Sequence, residues 1–166
     1  LSIGRAGREA NWTLTHPTFG RENQAVPLGQ AQDVRLAGWT ANPADSQGDR
    51  VILQNTGARP VHLAGLRLTN QPTGRPRAFT SPTLSFIATG KRLEMDSNWL
   101  GFKLAASQGE LALGKPDGSW IDHHVYGPQP DGRAVILIPP PDPPVDQFGL
   151  SFEIADGEML VTWEPG

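Results

Sequence analysis

The chain contains no cysteine in its 166 residues. This absence excludes disulfide bonds, thiolate metal sites and a cysteine nucleophile, so packing has to stabilise the fold. Basic residues are few, 14 in all, and they are scattered along a chain whose formal net charge is −3. No basic stripe is available to follow a phosphate backbone, and we therefore expect no nucleic-acid partner.

Long hydrophobic runs are also missing. No apolar stretch approaches the roughly 18 residues of a membrane helix, and the first residues lack the basic-then-apolar form of a signal peptide. We expect no membrane insertion. Helical periodicity is scarce as well, because no window of a dozen residues keeps apolar residues three to four apart without meeting Gly or Pro. The 19 Gly and 16 Pro residues indicate many turns instead.

Short β-rich runs separated by turn residues recur along the chain, a pattern typical of an all-β sandwich. They are Val34 to Trp39, Arg50 to Asn55, Val61 to Thr69, Leu84 to Ile87, Arg92 to Met95, Phe102 to Ala105, Glu110 to Leu113, Trp120 to Tyr126 and Arg133 to Ile138. We predict one sandwich over residues 25–138. Its predicted core residues are Leu36, Val51, Leu53, Leu63, Leu66, Leu68, Phe86, Phe102, Leu104, Leu111, Leu113, Ile121 and Val125.

Turn residues predict the connections. Asn55-Thr56-Gly57 and Lys115-Pro116-Asp117-Gly118 each predict a hairpin between flanking strands. The proline run within residues 139–150 predicts a stiff, extended linker. In residues 151–166, Asp156-Gly157 predicts a two-residue hairpin turn with Ala155 opposite Glu158. Two strands alone are marginal in water, so we expect this hairpin to be the start of a following module rather than an appendage of the main domain.

A set of short motifs from about Asp33 to Ile136 resembles the lamin tail domain family in order and spacing. The motifs are Val34-Arg35-Leu36, Trp39-Thr40-Ala41-Asn42, Asp49, Leu53-Gln54-Asn55, Pro60-Val61, Leu63-Ala64-Gly65-Leu66-Arg67-Leu68-Thr69, Phe102-Lys103-Leu104, Gly109-Glu110-Leu111-Ala112-Leu113, Asp117-Gly118, Ile121-Asp122, Tyr126-Gly127, Gln129 and Gly132-Arg133. The resemblance implies an immunoglobulin-like β-sandwich of the kind found in nuclear lamins and in large secreted bacterial proteins.

Residues 1–24 resemble the closing segment of such a module, with Gly4-Arg5 in the place that Gly132-Arg133 occupies later in the chain. They are either the C-terminal end of a preceding copy or an N-terminal extension that completes the main sandwich. We expect both ends of the chain to be cuts through a longer polypeptide. The family implies a secreted or cell-surface location, with neighbouring domains or other surface proteins as partners.

Catalytic and metal-binding motifs are weak. The nucleophile elbow Gly-x-Ser-x-Gly is absent. His123 and His124 are adjacent on a predicted strand and so point to opposite faces. His124 shares a face with Asp122, and together they supply two ligands where a metal site usually needs three or four. Asp45 with Asp49, and Asp96 with Asn98, are the nearest approach to a calcium loop. We expect no enzyme, no metal and no cofactor, and interpret the chain as a structural or interaction module.

A carbohydrate-binding or adhesive module is the alternative. Alternation along the strand at 120–126 places Trp120, Asp122, His124 and Tyr126 on one face, where an aromatic ring beside polar groups suits a polysaccharide. Trp99, in a polar loop, could extend this surface. The competing interpretation is structural, because Tyr126 matches a framework position of the family and Trp120 could cover a sheet edge.

Overall fold

A computed structural model describes residues 1–9, 11–41, 43, 48–73, 78–129, 131–138, 148–155 and 158–165, the last two ranges as backbone. The chain is all-β, built from antiparallel sheets. The strands in chain order are β1 (Ser2–Ala6), β2 (Asn11–His16), β3 (Gln24–Ala25), β4 (Val34–Thr40), β5 (Arg50–Asn55), β6 (Val61–His62), β7 (Arg67–Thr69), β8 (Ala78–Thr80), β9 (Phe86–Ile87), β10 (Arg92–Asp96), β11 (Gly109–Gly114), β12 (Trp120–Tyr126), β13 (Val135–Ile136), β14 (Phe148–Ala155) and β15 (Glu158–Pro165). A 3-10 turn spans Ala31–Asp33, and the short helix α1 spans Ser97–Leu100.

Two four-stranded sheets share one hydrophobic core. The first has the order β10-β5-β4-β13 and the second the order β12-β11-β7-β8, while β6 pairs with β9 alone. Val51 and Leu53 of β5, and Leu111 and Leu113 of β11, are buried two residues apart, as period-two alternation predicts for side chains that face a core. Buried residues of both sheets form a single cluster, and this cluster positions the surfaces described below.

The predicted core is largely confirmed. Nine of the thirteen residues are buried, namely Leu36, Val51, Leu53, Leu63, Leu66, Leu68, Leu104, Leu111 and Leu113. Phe86 is half-buried, and Phe102 and Ile121 are half-buried against the cluster. The prediction for Val125 was wrong, because this side chain is 73% exposed. A bulge in β12 reverses which of its later side chains face the core, so the strict alternation used for this prediction does not hold.

The core also holds aromatic and sulfur-containing residues that the sequence did not single out. Trp39 is 3% exposed and Met95 is 1% exposed. In β4 the register with β5 shifts between Leu36 and Gly38, so one extra residue enters the strand there. The bulge returns Trp39 to the face that Leu36 occupies, which strict alternation from Leu36 would not predict.

One predicted hairpin is present and the other is not. Lys115 N donates to Ser119 O at 2.8 Å and closes the turn between paired strands β11 and β12. At Asn55 the chain turns, but β5 pairs with β4 and β10 whereas β6 pairs with β9. The fully buried Asn55 amide donates to Arg59 O and accepts from Gly57 N, at 2.8 and 2.9 Å. The hairpin prediction was therefore wrong, and Asn55 instead holds a turn between different sheets.

The two ends of the chain form small sheets of their own. Strands β1, β2 and β3 make an antiparallel sheet in which Gly4 lies against Thr15 and Asn23. At the other end β14 pairs with β15 with Ala155 opposite Glu158, which confirms the predicted register. The turn at 156–157 and residues 139–147 of the predicted linker lie outside the described residues. That this hairpin starts a following module stays a prediction.

Candidate ligand-binding surface

A bulge in β12 divides the predicted binding face. Leu113 lies opposite Asp122, but its neighbour Gly114 lies opposite Trp120, so the strand gains one residue at Ile121. Directly opposed residues of an antiparallel pair share a face, and consecutive residues alternate. Asp122 therefore shares the inner face of buried Leu113, and Trp120 lies on the outer face. The prediction that Trp120, Asp122, His124 and Tyr126 share one side was wrong, because it assumed an unbroken ladder.

Asp122 links the two sheets. Its Oδ2 accepts a hydrogen bond from the backbone N of Leu36 at 3.0 Å, and its Oδ1 lies 3.1 Å from His124 Nε2. The guanidinium of Arg35 donates to the carbonyl of Ile121 at 3.0 Å. Both backbone contacts join β12 to β4 of the other sheet. They satisfy polar groups that a bulge and a sheet edge would otherwise leave without partners.

His124 and Tyr126 pack around Trp39. The ring centroid of Trp39 lies 6.1 Å from that of His124 and 5.2 Å from that of Tyr126, and its Nε1 donates to Gln129 Oε1 at 2.7 Å. Tyr126 is 7% exposed. Burial raises the pKa of its phenol, and a backbone hydrogen bond with Ala105 opposes that shift. These side chains fill the edge of the core between the two sheets.

Trp120 lies apart from them on the outer face. It is 47% exposed, and its benzo ring atoms Cε3 and Cζ3 lie 3.0 Å from where a Cβ on Gly114 would stand. The ring thus rests over a position that has no side chain. Beside it is a cavity of about 90 Å³ lined by Arg67, Thr69, Ala78, Gly114, Lys115, Gly118 and Trp120. Sequence reasoning missed Arg67 and Lys115, because β7 and the hairpin turn meet Trp120 only through strand pairing.

Trp99 is 50% exposed on α1. Its backbone N donates to Asp96 Oδ1 at 2.8 Å, which caps the helix, and its ring meets Phe79 edge-on at 5.8 Å between centroids. Trp99 is not among the described residues that line the Trp120 cavity. The structure therefore does not make one aromatic platform of the two tryptophans.

The acidic and histidine residues weighed as metal ligands have other contacts. His123 and His124 do point to opposite faces, and on the outer face His123 Nε2 lies 3.0 Å from Glu110 Oε2. Asp49 Oδ2 accepts from Leu104 N at 2.7 Å, and Asp45 lies outside the described residues. In the part of the chain that the structure describes, no three His, Asp or Glu side chains come together to hold a metal ion.

Comparisons with family models, with curated proteins and with solved structures found no match to this chain. Among the described residues, no helix is long and apolar enough to cross a membrane.

Proposed function

We propose that the chain is a non-catalytic structural or interaction module of a large secreted or cell-surface bacterial protein. The observation that carries the proposal is the hydrogen bond from Leu36 N to Asp122 Oδ2. The polar groups on β12 that suggested a binding site are used to join the two sheets. A module that positions its neighbours has to stay one body when the chain on either side moves, and this bond joins the two sheets around its core.

The proposed fold within this role is an immunoglobulin-like sandwich of the lamin tail type. Two four-stranded sheets around one core are compatible with it, and so is the bend at Gly65. Gly65 has a φ of +75°, and it lies between Leu63 and Leu66, which are 1% and 2% exposed. A left-handed residue that turns the chain while both flanking leucines stay in the core is what the motif Leu63-Ala64-Gly65-Leu66 requires of its glycine.

A hydrolase role has little support from His123 and His124. Within the described residues, His123 bonds to Glu110 and His124 to Asp122, and neither ring bonds to a Ser or Thr hydroxyl. A nucleophile within hydrogen-bond reach of its base is the minimal arrangement for acyl transfer. His123 instead pairs across the strands with Glu110, and His124 contacts the carboxylate that bonds to β4, which is why we propose a module without catalysis.

Mechanical unfolding of a tandem repeat of this chain tests the spacer role. A module that unfolds as one body gives discrete steps, each of about 35 nm for the roughly 100 residues between β4 and β13 at about 0.36 nm per residue. A chain that lengthens gradually, without discrete steps of that size, would contradict the proposal. A panel of chromogenic ester, glycoside and phosphate substrates should show no turnover on the same preparation.

A carbohydrate-binding or adhesive role is the second candidate. The exposure of Trp120 beside a cavity favours it, since a half-exposed indole offers a flat apolar face to a sugar ring. A glycan array on the purified chain separates the two roles. If the wild-type chain retains a defined glycan and Trp120→Ala does not, the binding role is favoured. An empty array would leave the spacer role as the remaining candidate.

A further inference from the structure

We infer that the Trp120 cavity recognises the acidic substituent of an anionic saccharide, with the sugar ring stacked on the indole. The inference rests on the second candidate role above and assigns its ligand class. Strict alternation predicted that Trp120 shares a face with Asp122 and His124, and those polar groups would suit the neutral hydroxyls of a sugar. The bulge at Ile121 replaces that pair with Arg67 and Lys115, so the polar partners of the indole carry positive charge.

The strand register explains how these groups meet. Trp120 lies opposite Gly114, and Gly114 lies opposite Arg67 on its other side, so the three occupy one row across the outer face. Gly114 contributes no side chain between the indole and the guanidinium. Lys115 follows Gly114 directly at the start of the hairpin turn. In this row the indole rests over Gly114, which forms the floor, and Arg67 lies on the side of Gly114 away from β12.

The charge on this floor is positive although the chain as a whole is negative, at −3. No described residue forms an ion pair or a side-chain hydrogen bond with the Arg67 guanidinium. Lys115 has Asp117 nearby, and that carboxylate accepts from Ser119 N and Oγ at 2.8 and 2.7 Å. Asp117 offsets part of the lysine charge, which makes Arg67 the principal cation. A guanidinium also matches a carboxylate or sulfate in two-point geometry.

The size of the cavity indicates what enters it. At about 90 Å³ the cavity is smaller than the roughly 150 Å³ space that admits a benzene ring. This space suits a carboxylate or sulfate group and is too small for a whole pyranose ring. The ring would stay outside, against the exposed face of Trp120. The cavity would then bind the acidic group of a sugar residue, while Trp120 stacks against the ring of the same residue.

Affinity electrophoresis of the full chain in gels containing polygalacturonate tests the inference. Fully methyl-esterified pectin is the matched neutral control, because it keeps the backbone and removes the charge. A second arm compares gels that contain dextran sulfate with gels that contain neutral dextran. Retardation in this arm alone would identify sulfate, and not carboxylate, as the recognised group. We expect retardation in at least one charged gel, weakened by added salt, and none in its neutral counterpart.

Variants locate the site. Arg67→Gln should lower the association constant about tenfold, as for loss of a charged hydrogen bond, and Trp120→Ala about fivefold, with partial recovery in Trp120→Phe. Asp117→Asn should strengthen retention, because it removes the opposing charge. Matched controls are Lys91→Gln and Trp99→Ala, an exposed cation and an exposed indole away from the cavity, and both should bind as wild type. Circular dichroism confirms that each variant is folded.

Three outcomes would overturn the inference. Equal retardation in charged and neutral gels would show that acid recognition is wrong while the binding role stands. If Lys91→Gln reduces the retardation as much as Arg67→Gln does, the attraction comes from the overall charge of the protein and not from the Trp120 cavity. Absence of retardation in every gel, together with an empty glycan array, would remove both the ligand class and the binding role.

Discussion

Replacing Asp122 with alanine should destabilise the protein by about 2–3 kcal/mol. The substitution leaves the backbone N–H of Leu36 without its acceptor in a residue that is 1% exposed. An unsatisfied buried donor costs about 1–3 kcal/mol. Loss of the contact with His124, whose side chain is 32% exposed, adds at most about 0.5 kcal/mol. With about 4 °C per kcal/mol for a domain of this size, the midpoint of thermal unfolding should fall by about 10 °C.

Urea unfolding followed by tryptophan fluorescence and by circular dichroism measures this loss. Asp122→Asn keeps an acceptor oxygen and should cost less than about 1 kcal/mol. The matched control is Glu110→Ala, which breaks the exposed contact with His123 and should change stability by less than about 0.5 kcal/mol. If Asp122→Ala is as stable as Glu110→Ala, the carboxylate does not join the sheets and the reasoning fails.

Two other predictions test the surroundings of this link. Tyr126 is the sole tyrosine, and burial raises its pKa in the folded state, so the folded chain holds the phenolic proton more tightly than the unfolded chain does. Its contribution to stability is fully present below the ordinary pKa of about 10 and is lost as pH rises through the raised value. The ultraviolet absorbance of tyrosinate should show a midpoint above about 10 in the folded chain and a return to about 10 in urea, and equal midpoints would contradict the burial. Gly38→Ala would drive a Cβ into the carbonyl of Val135 and should cost about 1–3 kcal/mol in urea unfolding, whereas Gly127→Ala meets no atom within 4 Å and should be neutral. If the two variants have equal free energies of unfolding, β13 moves away from the added Cβ without loss of stability and the steric argument is wrong.

Alternation in the sequence predicted the core where strands are uninterrupted. Val51 and Leu53 in β5, and Leu111 and Leu113 in β11, are each separated by one residue and face the core as predicted. Such pairs need no knowledge of the partner strand, because the pleat alone decides which face they occupy.

The same reasoning failed where one residue is inserted. An extra residue at Ile121 moves every later side chain of β12 to the opposite face, which buries Tyr126 and exposes Val125. A second insertion, between Leu36 and Gly38, returns Trp39 to the core. Gly38 is a local signal for the second bulge, because glycine within a strand often marks one. No glycine lies next to Ile121 in β12, and the shift is seen only in how Trp120 and Asp122 pair with Gly114 and Leu113.

The site was predictable only in part for a related reason. Trp120 stood out as an aromatic residue of the predicted ligand face, and it is 47% exposed. Its neighbours Arg67 and Lys115 come from another strand and from the hairpin turn, and pairing brings them together across Gly114. Local sequence patterns do not show which residue of a distant strand will lie beside Trp120. The positive charge of the cavity therefore became known only from the strand register.

Amide hydrogen exchange at Leu36 is the most direct measurement of the central claim that β12 and β4 make the two sheets one body. The Leu36 N–H donates to the Asp122 carboxylate of the opposite sheet. If that contact holds the module together, this amide should exchange only through global unfolding, at the same free energy as the amides of Leu53 and Leu111 in the two sheets. Exchange at Leu36 as fast as at an open sheet edge, while Leu53 and Leu111 remain protected, would show that the sheets are not joined there and would contradict the account.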